Sequence, residues 1–145
     1  MNVFETVCRI RVRYAETDQM KVVYYGRYFE FFEQARTEML RELGLPYAEI
    51  ERQGVLLPVI EASARYRRSA GYDDVLVIHS QVREVPVARI RIEYVVTREG
   101  DPEPIVEGHT VHSFVNAATG RPTRAPAQLV QIIQEALAQG TVRAH

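Results

Sequence analysis

Residues 7–43 read VCRIRVRYAETDQMKVVYYGRYFEFFEQARTEMLREL, and the spacing of apolar positions changes once within them. From Val7 to Tyr14 the period is two. Cys8, Ile10, Val12 and Tyr14 point one way and Arg9, Arg11 and Arg13 the other, which predicts a half-buried strand with a basic outer face. Ala15 to Tyr25 keeps no period. From Tyr28 to Leu43 the steps become three and four: Phe29, Phe32, Ala35, Met39, Leu40 and Leu43 form an apolar stripe, with Glu30, Glu33, Arg36 and Arg41 elsewhere. Gly44 suits the position after a helix end, and Pro46 opposes continuation. So many large apolar residues on one helix predict that something wraps around it.

Outward from this segment, 46–53 adds a short helical turn, and then strands dominate. Alternating β-branched and aromatic residues predict strands over Leu56–Arg67, Val75–Val85, Ala88–Arg98 and Ile105–Asn116. They are separated by turn chemistry at 69–73, Pro86 and 99–104, and short connections favour antiparallel neighbours. Ala118-Thr119-Gly120-Arg121-Pro122 is a further turn, and Ala127–Ala138 reads as an amphipathic helix with Leu129, Ile132, Ile133, Ala136 and Leu137 inward. With no internal repeat and no linker, residues 1–145 are expected to form one α+β domain, an antiparallel sheet over one long helix. Its uncovered face and edges favour a homo-oligomer.

Composition removes several classes of function. The 145 residues are 46% hydrophobic and 26% charged, with a net charge of −1, so no overall field recruits nucleic acid or an anionic membrane. Lys21 is the one lysine beside seventeen arginines, a bias that composition explains as readily as phosphate binding. The single cysteine, Cys8, excludes an intrachain disulfide and a multi-cysteine zinc site. Neither a signal peptide nor an apolar run of about 20 residues is present, so no membrane span and a cytoplasmic location are expected. There is no G-x-S-x-G elbow, Walker loop or G-x-G-x-x-G. His109 and His112, three apart on a strand, face opposite sides and cannot share a metal, and His79 lies on another strand.

The aperiodic connection holds the chemistry. Asp18 lies between strand and helix, and Tyr25 to Tyr28 lie at the helix start, where unsatisfied N–H groups carry partial positive charge. A carboxylate within reach of such donors suits acyl chemistry: the N–H groups polarise a carbonyl while Asp18 attacks it or activates water. The same residues also read as a turn aspartate among packing tyrosines.

Arg11-Val12-Arg13-Tyr14, Thr17-Asp18, Val22-Val23-Tyr24-Tyr25 with Tyr28, and Phe31-Phe32-Glu33 with Ala35-Arg36-Thr37-Glu38-Met39-Leu40 resemble one family. So do Tyr66, Gly71-Tyr72-Asp73-Asp74 and Thr119-Gly120-Arg121-Pro122. The chain is similar, from Val7 to Ile133, to the hotdog-fold acyl-CoA thioesterases of the 4-hydroxybenzoyl-CoA thioesterase-like group, which includes the thioesterases of the Tol–Pal cluster. The resemblance implies a hotdog sheet wrapped around the long helix, subunits paired into a homodimer or into a homotetramer that is a dimer of such dimers, and active sites at the interface. No metal or redox cofactor is implied. It makes Asp18 the catalytic carboxylate, as nucleophile or general base, and the Tyr25 N–H the group that polarises the thioester of an acyl-CoA substrate. Two residues depart from the pattern: Lys21 stands where the family usually has glycine, and Tyr25 where many members have histidine. Lys21 therefore enters as a substrate-pocket candidate.

Coenzyme A carries several phosphates, so basic groups are needed at the mouth of the site. Arg89, Arg121 and Arg124 fall near positions that the family uses for the nucleotide and read equally as solvated surface arginines, and the run Arg65, Arg67 and Arg68 reads either as a phosphate patch or as a wet face. Glu33 on the helix is an alternative catalytic acid. A non-catalytic acyl-CoA-binding hotdog protein is the competing function. A dehydratase is disfavoured because no histidine precedes His79. The acyl group is left open.

Overall fold

The computed structural model describes residues 2–140 and 142–144. Strand β1 (Phe4–Arg11) leads through a single 3-10 turn (Tyr14–Glu16) to the long helix α1 (Arg27–Glu42), and a short helix α2 (Tyr47–Arg52) follows. Then come β2 (Val55–Leu56), β3 (Val59–Tyr66), β4 (Val75–Val82), β5 (Arg89–Arg98), β6 (Asp101–Ser113), β7 (Val115–Asn116), α3 (Ala127–Gln139) and β8 (Val142–Ala144). Six strands form one sheet in the order β3-β6-β5-β4-β1-β8, antiparallel except for β1 with β8, while β2 pairs with β7 apart. Among the described residues no helix is long and apolar enough to cross a membrane.

The sheet encloses α1, the hotdog arrangement. Tyr28, Phe31, Phe32, Ala35, Met39 and Leu40 are buried against it, and β5 supplies Ile90, Ile92, Tyr94 and Val96 from alternate positions. Phe32 stacks flat on Tyr94, ring centres 4.3 Å apart. This close approach requires Gly108, which sits opposite Tyr94 in the ladder. A Cβ there would lie 2.3 Å from the Ser63 carbonyl oxygen and 2.9 Å from the Phe32 ring. Residues 127–139 form the expected second helix, burying Leu129, Ile133 and Ala136.

The structure corrects the alternation reading at three places. Tyr14 does not point inward; it is 71% exposed. The strand ends at Arg11 because the Glu16 carboxylate accepts the Arg13 N–H (2.7 Å) and turns the chain. The expected strand 56–67 is two strands, broken where Pro58 offers no N–H, and the Pro58 carbonyl accepts from Ser113 N–H (3.1 Å). The strand expected from Ile105 begins at Asp101. Its prolines, Pro102 and Pro104, are tolerated because β3 pairs with β6 only from Val106 onward, leaving an open edge there. On α1, Arg36, expected on the polar side, is buried, and Phe29, expected in the stripe, is partly exposed.

Candidate active site

Between β1 and α1 the chain folds back on itself as a small hairpin. Thr17 bridges to Val23, the Asp18 N–H donates to the Val22 carbonyl (2.9 Å), and the Lys21 N–H donates to the Asp18 carbonyl (2.9 Å). Asp18 closes the turn with its side chain as well: Oδ1 accepts the Met20 N–H at 2.8 Å and the Val22 N–H at 3.4 Å. Turns of this build end on a left-handed residue, usually glycine, and Lys21 holds that place with φ +65°. The hairpin is pinned to the 70–71 segment by Val23 N–H to the Ala70 carbonyl (2.8 Å) and by the Val22–Gly71 bridge. Asp18 is thus held on a braced, solvent-facing tip.

The other arm of the hairpin runs directly into α1. Tyr24 N–H donates to the Glu16 carbonyl (3.0 Å), and the helix opens with tight bonds from Arg27 to the Tyr24 carbonyl (2.9 Å) and from Tyr28 to that of Tyr25 (3.3 Å). Gly26 provides no side-chain cap. Among the described residues the N–H groups of Tyr25 and Gly26 donate no hydrogen bond, so two donors at the positive end of the helix dipole stay free. The Tyr66 hydroxyl fixes this end by donating to the Tyr25 carbonyl (3.1 Å). A crevice of about 270 Å³, lined by Tyr25, Tyr28, Tyr66, Arg67 and Arg68, opens beside it. The Tyr28 hydroxyl is buried without a hydrogen-bond partner among the described residues, and burial pushes its pKa up to about 12.

A second cleft, of about 440 Å³, runs along α1 past Phe29 and Glu33 to Arg36. Its far wall carries a relay in which the proton positions follow from the acceptors. The Leu57 carbonyl faces His112 Nδ1 (3.2 Å), so that nitrogen holds the proton. Nε2 then accepts from the Thr110 hydroxyl (2.9 Å), and Thr110 Oγ1 accepts from the Tyr94 hydroxyl (2.9 Å). Burial, with the positive Arg36 nearby, lowers the His112 pKa to about 4 and keeps the ring neutral. His109 faces away and bonds Glu61 (2.6 Å), so the two histidines lie on opposite faces as their spacing requires.

The thioesterase-like superfamily model matches residues 12–137. The chain belongs to the thioesterase-like superfamily. It is 40% identical over 85 residues to the acyl-CoA thioesterase YbgC of Haemophilus influenzae, a stretch covering 58% of this chain and 62% of that one. The structure of a DHNA-CoA thioesterase from Staphylococcus aureus superposes with a TM-score of 0.86 at 27% identity, covering 97% of this chain and 98% of that one. A 4-hydroxybenzoyl-CoA thioesterase complexed with 4-hydroxybenzoyl-CoA shares the fold at TM-score 0.79 and 20% identity, covering 88% and 97% respectively. This superfamily member is a thioester hydrolase.

In this thioesterase the residues singled out from sequence fall into two groups. Asp18, Lys21 and Tyr25 share the hairpin and helix start. Arg89 opens β5 and lines a separate cleft of about 340 Å³ with Arg83, Pro86 and Arg91. Arg121 and Arg124 follow β7, brought beside the start of β5 by Ala125 N–H to the Val87 carbonyl (2.7 Å) and Phe114 N–H to the Ala88 carbonyl (3.2 Å). β1 and β5 run the same way, and Asp18 lies past the end of β1 while Arg89 lies at the beginning of β5. The ten residues of β5 separate the two groups by about 30 Å, so one chain does not bring them together. Arg67 and Arg68, which sequence left undecided, line the crevice at the helix start but are engaged with Glu107 (2.9 Å) and Asp101 (3.0 Å). Sequence reading missed Tyr66 as a clamp on Tyr25 and Arg36 as a buried charge. The first gives no signal without knowing that β3 ends beside the helix start.

Proposed function

We propose that the protein hydrolyses acyl-CoA thioesters to a free acid and coenzyme A. The observation that carries this reading is the pair of free N–H groups, Tyr25 and Gly26, at the start of α1 beside the braced Asp18 hairpin. A thioester carbonyl seated on those donors gains electrophilicity, because negative charge developing on its oxygen meets the positive end of the helix. Asp18 then has two routes. Its carboxylate attacks the carbonyl carbon, expelling the coenzyme A thiolate and leaving a mixed anhydride that water cleaves; or it takes a proton from water, which attacks in its place. In both routes the Oδ1 bonds to Met20 and Val22 hold the carboxylate while Oδ2 acts. Glu33 lies two turns down α1 from these donors, which favours Asp18 over it.

The separation of Arg89, Arg121 and Arg124 from Asp18 supports a homo-oligomeric site. β3 is an edge strand, exposed along nearly all its length and bearing Val59 and Ile60. Antiparallel pairing of β3 with β3 of a second copy about a two-fold axis turns the second sheet end for end. Arg89, Arg121 and Arg124 of the partner subunit then stand beside Asp18 of the first, where coenzyme A phosphates need them. Residues 1–145 acting as one domain, twice, give two such sites.

The test is thiol release from short, long and aromatic acyl-CoAs by the wild type and Asp18→Asn. Hydrolysis lowered by about 10²–10⁴-fold in the variant supports the reading. Binding without hydrolysis across the panel would instead make this a non-catalytic acyl-CoA-binding protein.

A further inference from the structure

Arg36 is a buried cation with no ion pair among the described residues. It is 7% exposed, and its Nε and Nη1 have neither solvent nor a hydrogen-bond partner. Its one favourable neighbour is the Tyr47 ring, whose centre lies 5.1 Å from the guanidinium carbon. A guanidinium in such a place is costly unless an anion completes it. The polar groups around it offer none. Tyr94, Thr110 and His112 satisfy one another and the Leu57 carbonyl, and Glu33, one turn earlier on α1, is exposed and forms no bond with Arg36. Arg36 lines the 440 Å³ cleft, the rest of whose wall includes Phe29, Leu57, Pro58 and Val59.

The cleft is aligned with the reaction centre. Phe29, Glu33 and Arg36, spaced by four and three, form one stripe of α1, so the cleft begins about one turn past the free N–H groups of Tyr25 and Gly26. Arg36 stands about 14 Å along the axis from Arg27, the first residue of α1, which puts on the order of 10 Å between carbonyl and guanidinium. The passage has Phe29, Leu57, Pro58, Val59 and Ala62 on its walls and the exposed carboxylates of Glu30 and Glu33 on its solvent side, so an anion is favoured only at the buried, unpaired guanidinium, which suits a chain that ends in an anion. We infer that the preferred substrate is an acyl-CoA whose acyl group bears a carboxylate at its far end, received by Arg36. The inference rests on the acyl-CoA reading above and names its substrate class.

The test compares octanedioyl-CoA with octanoyl-CoA, equal in length and differing in the terminal carboxylate. For the wild type, kcat/KM is expected to favour octanedioyl-CoA by about tenfold to a hundredfold, the size of a hydrogen-bonded ion contact. In Arg36→Met the ratio falls to about one, while Arg36→Lys keeps part of the preference. An apolar residue in place of an unpaired buried charge is expected to hold or raise the thermal midpoint, which checks folding; if Arg36→Met does not fold, the ratio in Arg36→Lys decides. Titration calorimetry of both thioesters on Asp18→Asn, with and without Arg36→Met, separates binding from turnover. Hydrolysis with no preference, or a preference that survives Arg36→Met, overturns the inference and leaves the thioesterase reading standing. No hydrolysis, but tighter binding of octanedioyl-CoA that needs Arg36, does the reverse. Neither hydrolysis nor Arg36-dependent binding overturns both.

Discussion

Lys21 holds a backbone conformation that its side chain disfavours, φ +65° at the tip of the hairpin that carries Asp18. Left-handed backbone costs a residue with a Cβ about 1–2 kcal/mol, so Lys21→Gly is expected to raise stability by about 1 kcal/mol in urea unfolding; an unchanged or lower midpoint contradicts the strain. The same change removes a cation three residues from Asp18 in the same turn and is expected to reorder the acyl groups that the enzyme prefers; an unchanged ranking takes Lys21 out of the pocket. Asp18→Asn separates chemistry from architecture. Asparagine retains an Oδ1 for the Met20 N–H, so the turn survives and the thermal midpoint is expected to hold while turnover falls. At this scale the sequence was partly legible. An aperiodic stretch between two clear periods marks the connection that carries Asp18 and Tyr25, whose proposed roles the Asp18→Asn assay tests. Arg36 has no such mark, because residue type assigns an arginine to water, and only the strands packed over the helix show that this one is shut away from it.

Two elements depend on contacts that their own pattern does not announce. β6 passes over α1 at Gly108, where a side chain would meet the Ser63 carbonyl oxygen at 2.3 Å. Gly108→Ala is therefore expected to destabilise by about 1–3 kcal/mol in urea unfolding, the usual cost of overpacking, through displacement of β3 or Phe32. β6 is also tied to the bend after β2 by His112, whose Nδ1 donates to the Leu57 carbonyl. The fold holds this histidine at about pKa 4, below its usual 6.5. Between those values the unfolded chain binds the extra proton, so this contribution is complete above about pH 6.5 and is lost as pH falls toward 4. The loss is up to about 3 kcal/mol. Urea midpoints at neutral pH and near pH 4.5 are expected to converge in His112→Gln, and an unaltered pH slope rules this histidine out as its source. Period gave the two main helices and the main strands in chain order, though not their order in the sheet; it failed at Tyr14 and Pro58, where a side-chain cap and a missing N–H override alternation.

At the scale of the whole molecule the residues of the proposed site divide, with Asp18 and the free helix N–H groups at one end of the sheet and Arg89, Arg121 and Arg124 about 30 Å away at the other. That division was not legible in the sequence, which places residues on elements without saying which end of a sheet each connection occupies. The antiparallel dimer proposed through the exposed β3 edge would reconcile the two groups. Val59→Lys with Ile60→Lys, charging that edge, is expected to yield monomers by size-exclusion chromatography and to abolish acyl-CoA hydrolysis; active monomers contradict a shared site. The most direct measurement mixes two crippled proteins, Asp18→Asn and Arg89→Ala, after unfolding and refolding them together, and follows thiol release at low acyl-CoA concentration. If Asp18 of one chain works with Arg89 of the other, each mixed dimer contains one intact site, and the mixture regains about a quarter of wild-type activity, since half its dimers are mixed by random pairing and half their sites are whole. If both residues serve the same site from one chain, every site keeps a defect and mixing restores nothing.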